Sequence, residues 1–555
     1  MKRNILLALL LLSLAAFGQK RLTQPEKLTA TCKVWGFLKY YHPNVGNGSF
    51  DWQNQLIEVL PKIEEAKTKE EFSSILENWI NSLGEVKKIE PIIESDTIQY
   101  FDKNFDLSWI DKTKLFSKDL SKKLKFIERN RFQGEQYYVG KLRGENIFAK
   151  NEDFSNFKYD NKNTRLLALF TYWNLVEYFF PYKYKMDEKW SITLEKMLPL
   201  FIPEQNDDAF YLSIQKLIAK LNDSHVVFYK YRKKETPQYY IPVVGKIIDE
   251  KIILTEILDS HITENYSVKV GDVITKINDK KIADYIKENR DLVSASNESR
   301  FLHDIIEPIL SGSEENIKLE FLTDNKTSTK NINWVNYVSN RYTITHEKKY
   351  KEKLAQKEKF KIIEDNIGYV DMKILKVEDI PNMIEKLNAT KAIIIDLRNY
   401  PNGTYEGISN FLNSEEKTFA LYTKPVLNYP GRFRWTEGSS SGTQNKKNYK
   451  GKVIVLLNEQ SFSQSEWTAM CFQTAENTTI IGSQTGGADG NVSQFDYMRA
   501  FHTSFSGIGV YYPDKRETQR VGIIPNIEIK PTIKGIQEGR DEVLERALQF
   551  IETGM

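Results

Sequence analysis

A chain of 555 residues exceeds what one ordinary hydrophobic core organises, so it divides into several domains. Apolar residues make up 40% and aromatic residues 12%, enough to fill those cores, which excludes wholesale disorder. Lys and Arg total 78 against 75 Asp and Glu, a net charge of +3 that gathers no polyanion, and two cysteines exclude a disulfide scaffold.

Lys2 and Arg3 precede an apolar run from Ile5 to Ala16, and the small residues Ala16 and Gly18 flank Phe17. The pattern predicts a secretory signal peptide over residues 1–18, cut before Gln19; the run is shorter than the roughly 20 residues that span a bilayer. Removing Lys2 and Arg3 takes the net charge from +3 to +1. The expected protein is exported, periplasmic or extracellular, with no stable membrane span after cleavage.

Residues 28–87 and 166–225 align without a gap. Trp35, Tyr40, Pro43, Trp52, Leu60, Pro61 and Phe72 recur as Trp173, Tyr178, Pro181, Trp190, Leu198, Pro199 and Phe210. The apolar periodicity of each copy predicts a bundle of about three helices, giving helical units over 19–87 and 161–235 joined by a β-rich connecting segment over 88–160. The ends of the copies differ. The first closes Leu83, Gly84, Glu85, Val86, Lys87, the second Leu221, Asn222, Asp223, Ser224, His225. A requirement of the bundle would recur in both, so the Ser224-His225 pair has the pattern of a site; the competing reading is a surface histidine at a helix end.

From residue 236 the pattern turns to short strands, with Val270, Gly271, Asp272, Val273, Ile274 leading into a turn at Asn278 and Asp279. A charged connector covers 341–361, and from 362 to 555 strands alternate with helices, the signature of an α/β core. Three turns of that core follow strands. Asp396, Leu397, Arg398 and on to Gly403 can present backbone N–H groups; Ser461, Phe462, Ser463, Gln464, Ser465, Glu466 open a helix, where a serine is either a nucleophile or an N-cap. The third turn, Gly482 to Gly490, carries four glycines. The six histidines fall at no metal-ligand spacing, so neither metal nor other cofactor is expected.

These residues resemble the tail-specific, C-terminal processing serine peptidase superfamily. Asp396-Leu397-Arg398 to Gly403 is similar to its Asp-Leu-Arg-x-x-Pro-x-Gly turn, and Ser463-Gln464-Ser465-Glu466 to its Ser-x-Ser-Glu motif. Val270 to Ile274 resembles the strand of its PDZ-like insert, and Gly522 to Asn526 its C-terminal Gly-x-x-Pro-Asp strand. The lysine of a Ser-Lys dyad should fall in the glycine-rich turn, where Gly487, Ala488, Asp489 and Gly490 stand; Ser224-His225 instead matches the tricorn-like branch, which includes the interphotoreceptor retinoid-binding proteins.

The resemblance implies a multidomain α/β protein with a ClpP/crotonase-like core, N-terminal helical units and a PDZ-like domain over 236–340. It implies Ser463 as nucleophile, His225 as general base, Ser224 orienting the imidazole, and a carboxylate behind it supplied by Glu517, with Gln519 as the alternative occupant of the aligned position. Gly403 and Gln464 would donate the oxyanion-hole N–H groups, and the segment around Gly271 and Asp272 would receive a peptide or protein substrate, bound by its C-terminus. The other function open to this fold is a ligand- or peptide-binding protein of the cell envelope without catalysis.

Overall fold

The computed structural model describes residues 22–554 apart from 91–96, 153, 156, 231–238, 325, 334, 337–351, 353 and 499. The expected signal peptide lies outside the described residues, as does most of the charged connector. No described helix is long and apolar enough to cross a membrane.

The first repeat copy folds into helices Gln24–Tyr41, Trp52–Glu65 and Lys69–Ser82, the second into Lys162–Phe179, Trp190–Phe201 and Asp207–Ala219. The same device closes both. Trp35 and Trp52 stack with centroids 6.3 Å apart, each indole donating to the other's carbonyl, and Trp173 and Trp190 repeat this at 6.3 Å. The two copies share one apolar core, because the long first helix of each is buried nearly all round against the other. They cross at matching positions: Gly36 leaves the room that the buried Asn174 side chain fills, and Asn174 Nδ2 donates to the Cys32 carbonyl at 3.1 Å.

The segment between the copies departs from the expected β-rich connector. Among its described residues it carries only short strands, at Tyr100–Phe101, Val139–Lys141 and Ile147–Ala149, and its main element is the helix Lys118–Arg129. Leu120, Leu124 and Ile127 recur at helical spacing behind the Ser117 cap and join the shared core, which a reading centred on the flanking short strands overlooks.

Residues 239–333 form a separate β-rich body with its own apolar core. Its antiparallel strands Val243–Ile248, Lys251–Ile257, Val273–Ile277, Asn316–Thr323 and Lys326–Asn333 lie in the spatial order last, fourth, third, second, first.

The C-terminal core is a six-stranded sheet that begins at Phe360, two residues before the expected boundary. Phe360–Ile363 pairs antiparallel with Ile367–Asp371, and Ala392–Asp396, Lys452–Leu457, Thr478–Gly482 and Ile527–Glu528 follow in parallel. Ala392–Asp396 is buried throughout, as a parallel strand covered on both faces should be. The helix Glu542–Thr553 covers one face through Val543, Ala547 and Ile551. A hairpin of Val492–Tyr497 and Phe501–Ser506 leaves this core and pairs with Phe228–Lys230, which follows the second helical unit.

Candidate active site

In a parallel sheet the carboxyl ends of adjacent strands open onto one edge, and ligands collect there. The three turns singled out above leave the carboxyl ends of Ala392–Asp396, Lys452–Leu457 and Thr478–Gly482, three successive strands. Hydrogen bonds hold the first two turns together: Ser461 Oγ donates to the Leu397 carbonyl at 2.7 Å and Ser465 Oγ to the Asn399 carbonyl at 2.6 Å.

Ser463 sits between strand and helix at φ +55°, ψ −116°, where non-glycine residues are rare and held only by surrounding structure. That structure is visible. The Ser463 N–H faces the Ala488 carbonyl at 3.2 Å and Glu466 Oε2 at 3.1 Å, and the Trp467 N–H donates to the Ser463 carbonyl at 3.0 Å. Ser463 is thereby set at the N-terminus of the helix Gln464–Phe472, whose dipole favours negative charge. Gly403, at φ +70°, lies close enough that a Cβ there would meet Gln464 Nε2 at 3.8 Å. The turn that presents Gly403 and the turn that presents Gln464 therefore face each other, as paired N–H donors around one oxyanion require.

Glu466 is the tie between the nucleophile turn and the glycine-rich turn. Its Oε1 accepts from the Gly487 N–H at 2.8 Å and from Thr485 Oγ1, and its Oε2 from the Ser463 and Ala488 N–H groups, both at 3.1 Å. Complete burial pushes its carboxyl up to about 7 in spite of those donors. Asp489, also buried, is raised well above the usual carboxylate range, first by desolvation and then by Glu466. Its Oδ1 accepts from the Gly490 N–H, and its Oδ2 has no partner among the described residues.

His225 arrives from the second helical unit. Phe228–Lys230 pairs antiparallel with Phe501–Thr503 in a register that, carried three residues further, sets His225 opposite Ser506. His225 Nδ1 lies 2.8 Å from Ser506 Oγ, which donates to Asp223 Oδ1 at 2.9 Å. Asp223 Oδ2 accepts from the Ser506 N–H at 2.7 Å, and Oδ1 also accepts from Gln519 Nε2 at 3.1 Å and the His225 N–H at 3.2 Å. With its proton given to the carboxylate, Ser506 accepts from His225 Nδ1–H, which leaves Nε2 as the unprotonated nitrogen. That nitrogen is buried and without a partner among the described residues. Burial holds the imidazole below its usual pKa; Asp223 opposes this and Arg300 adds to it.

Two expected members of the relay stand elsewhere. Ser224 Oγ donates to the Gly486 carbonyl at 3.1 Å and accepts from the Ser296 N–H at 2.8 Å, so it fastens the turn and does not orient the ring. Glu517 takes the Tyr184 hydroxyl at 2.6 Å and Lys103 at 3.1 Å, while Gln519 reaches Asp223. Asp223 therefore fills the carboxylate place behind His225 and Ser506 the orienting one. Asp223 stands in the sequence beside Ser224 and His225; Ser506 has no local signal at all.

Ser463 and His225 flank the same short run, since Ser224 holds the Gly486 carbonyl and Ser463 the Ala488 carbonyl. The Phe462 ring packs 4.8 Å from the imidazole, with Arg300 4.4 Å from its centroid. No hydrogen bond joins Ser463 to His225 among the described residues. A cavity of about 420 Å³ opens beside Ser463, lined also by Gln464, Trp467, Tyr422, Lys424 and Asp489. Gly271 and Asp272, the expected substrate segment, do not line the groove of the β-rich body: Gly271 packs on Gln537, and Asp272 accepts from the Lys269 N–H. That groove, about 580 Å³, runs along Tyr239 to Gly245 and reaches Arg300.

Residues 366–529 match Peptidase family S41. No curated protein matches the chain. Among solved structures, mature CPAF complexed with lactacystin is similar over 70% of this chain and 98% of its own, at 13% identity and a TM-score of 0.55, which shows a common fold. The photosystem II D1 C-terminal processing protease gives 14% identity and a TM-score of 0.40 over 68% and 98% of the two chains. An S41 protease from Bacteroides fragilis gives 13% and 0.35 over 69% and 96%. Residues 366–529 are therefore a domain similar to Peptidase family S41, set in a chain that shares its fold with mature CPAF.

Proposed function

We propose that the protein hydrolyses peptide bonds with Ser463 as nucleophile and His225 as general base. The observation that carries this reading is the pairing of a strained serine at the sheet's carboxyl edge with a histidine whose Nδ1 is anchored and whose Nε2 is left vacant. As substrate binds, the Ser463 side chain turns to donate to Nε2, a bond that is commonly long or absent before substrate arrives. Ser463 Oγ adds to the carbonyl carbon while its proton passes to His225, and the Gly403 and Gln464 N–H groups take the oxyanion. Collapse breaks the C–N bond, His225 returning the proton to the departing amine. Water then releases the acyl group by the same route.

The β-rich body serves in this reading as a PDZ-like module, its Tyr239 to Gly245 groove receiving an extended peptide beside the active site. Export is part of the proposal on the strength of the Lys2 to Ala16 pattern, and N-terminal sequencing of secreted protein beginning at Gln19 tests it.

Labelling with a fluorophosphonate tests the chemistry. Wild type is expected to label, and Ser463→Ala not at all. His225→Ala is expected to label far more slowly. Equal labelling of wild type and Ser463→Ala would remove the assignment.

A further inference from the structure

The cavity beside Ser463 carries charge of one sign. Its lining contains one carboxyl, Asp489, and one ammonium, Lys424. Asp489 does not balance Lys424. It is buried with one unpartnered oxygen and forms no ion pair with Lys424, and burial first, then the neighbouring Glu466, shifts it toward the uncharged form. Lys424 finds its counter-ion outside, in Glu145 at 2.9 Å, and that carboxylate is shared. Lys141 lies 2.6 Å and Arg434 3.3 Å from the same group. Lys424 and Arg434 are direct cross-strand partners, so two cations face one another across the ladder with one carboxylate between them. Three cations on one anion leave an excess of positive charge at this end of the cavity.

No other lining side chain carries a charge that would consume it. Tyr422 is engaged with Ser439 Oγ at 2.6 Å and receives the Trp467 indole N–H at 2.9 Å. Trp467, Ile508 and Val510 give the cavity apolar flanks suited to a short aliphatic stem. A bound carboxylate would restore local neutrality at Lys424, whereas an ammonium would meet like charge there.

We propose that this cavity receives a substrate carboxylate, paired with Lys424, at the residue adjoining the scissile bond. The inference rests on the peptidase reading of Ser463 and adds to it an acid-selective subsite. The carboxylate comes from an Asp or Glu side chain or from a free C-terminus; both offer the same group to Lys424.

The test digests a defined peptide library with the full-length protein and maps cleavages by mass spectrometry, then compares Glu with Gln and free with amidated C-termini. A Glu-over-Gln preference of about 10- to 100-fold at one position identifies a side chain, from the usual strength of a hydrogen bond to a charged group. The same ratio for free over amidated ends identifies the terminus. Lys424→Met should bring the ratio near one, and Lys424→Glu should turn it toward Lys. Binding of the same fluorescent peptides to Ser463→Ala gives a second readout that needs no turnover. Equal handling of Glu and Gln, and of free and amidated ends, in both assays overturns the subsite while leaving fluorophosphonate labelling, and hence the peptidase reading, intact. Absent labelling overturns the peptidase reading, and the Ser463→Ala binding series then decides the carboxylate site alone.

Discussion

His225 Nδ1 and Ser506 Oγ, 281 residues apart in the chain, lie 2.8 Å apart across the extension of an antiparallel ladder. Ser506 Oγ–H donates to Asp223 Oδ1, so the contact selects the His225 tautomer that leaves Nε2 free to accept. Ser506→Ala removes that selection, and Asp223→Asn replaces an acceptor that Ser506 and its own N–H both require. Asp223→Asn is expected to lower kcat by about 10²- to 10⁴-fold with little change in KM, the signature of a group acting on the base and not on substrate binding. Steady-state kinetics of both variants check this, and loss through KM alone would place Asp223 outside the relay.

The charge around His225 fixes the direction of its pH response. Burial and Arg300 lower the imidazole pKa and Asp223 raises it, so neutral imidazole persists below the usual value of 6.5. The acid limb of kcat/KM should therefore fall below pH 6.5. Arg300→Met removes a depressing charge and should move that limb upward; Asp223→Asn removes the raising charge and should move it down. The corresponding stability term has the sign of a depressed group: it is present above the unfolded value and lost as pH falls through the folded one. Full pH profiles of the three proteins read the limb positions, and a limb in Arg300→Met at or below that of wild type would contradict the electrostatic account.

How much of this the sequence discloses depends on whether the cause is local. Ser463 is legible because a strand of Val, Ile and Leu, a turn and a helix opening lie within some twenty residues, and the repeat comparison isolates His225 because the first copy has Lys87 there. The helix Lys118–Arg129 was available from Leu120, Leu124 and Ile127, yet its neighbours read as strand. Ser506 is a different case. It acquires its place only when Phe501–Ser506 pairs with Phe228–Lys230, a non-local register that no spacing encodes. The same pairing withdraws the role from Ser224, whose hydroxyl is consumed by Gly486 and Ser296.

Glu466 joins two turns through four donated hydrogen bonds, and its amide analogue would set an NH₂ group against backbone donors. Glu466→Gln is expected to cost about 1–3 kcal/mol for the unsatisfied buried groups, and more in turnover than in binding because Ser463 loses its tether. The wild-type carboxyl is raised from 4.5 to about 7, so its contribution to stability is complete below the unfolded value and is lost as pH rises toward 7. Melting temperature should accordingly fall more steeply from pH 4.5 to 7 in wild type than in Glu466→Gln. Parallel curves over that range would show that Glu466 does not change protonation there.

Gly36 and Asn174 occupy equivalent positions of the two repeat copies and meet where their long helices cross. A Cβ on Gly36 would stand 1.7 Å from Asn174 Oδ1, and Asn174 cannot swing clear, because its Nδ2 is bound to the carbonyls of Cys32 and Phe170 at 3.1 and 2.9 Å. Gly36→Ala must therefore separate the helices or break those bonds. Overpacking of this kind costs about 1–3 kcal/mol and should lower Tm measurably. Asn174→Ala removes the obstacle, so the double variant should melt above the sum expected from the two single changes, by an interaction of about 0.5–3 kcal/mol. The second copy ends in His225, so Gly36→Ala should also slow fluorophosphonate labelling of Ser463, although it lies outside the active site. Additive Tm values in the cycle would mean that the crossing has room to absorb the methyl group and that the two copies are not locked at this point.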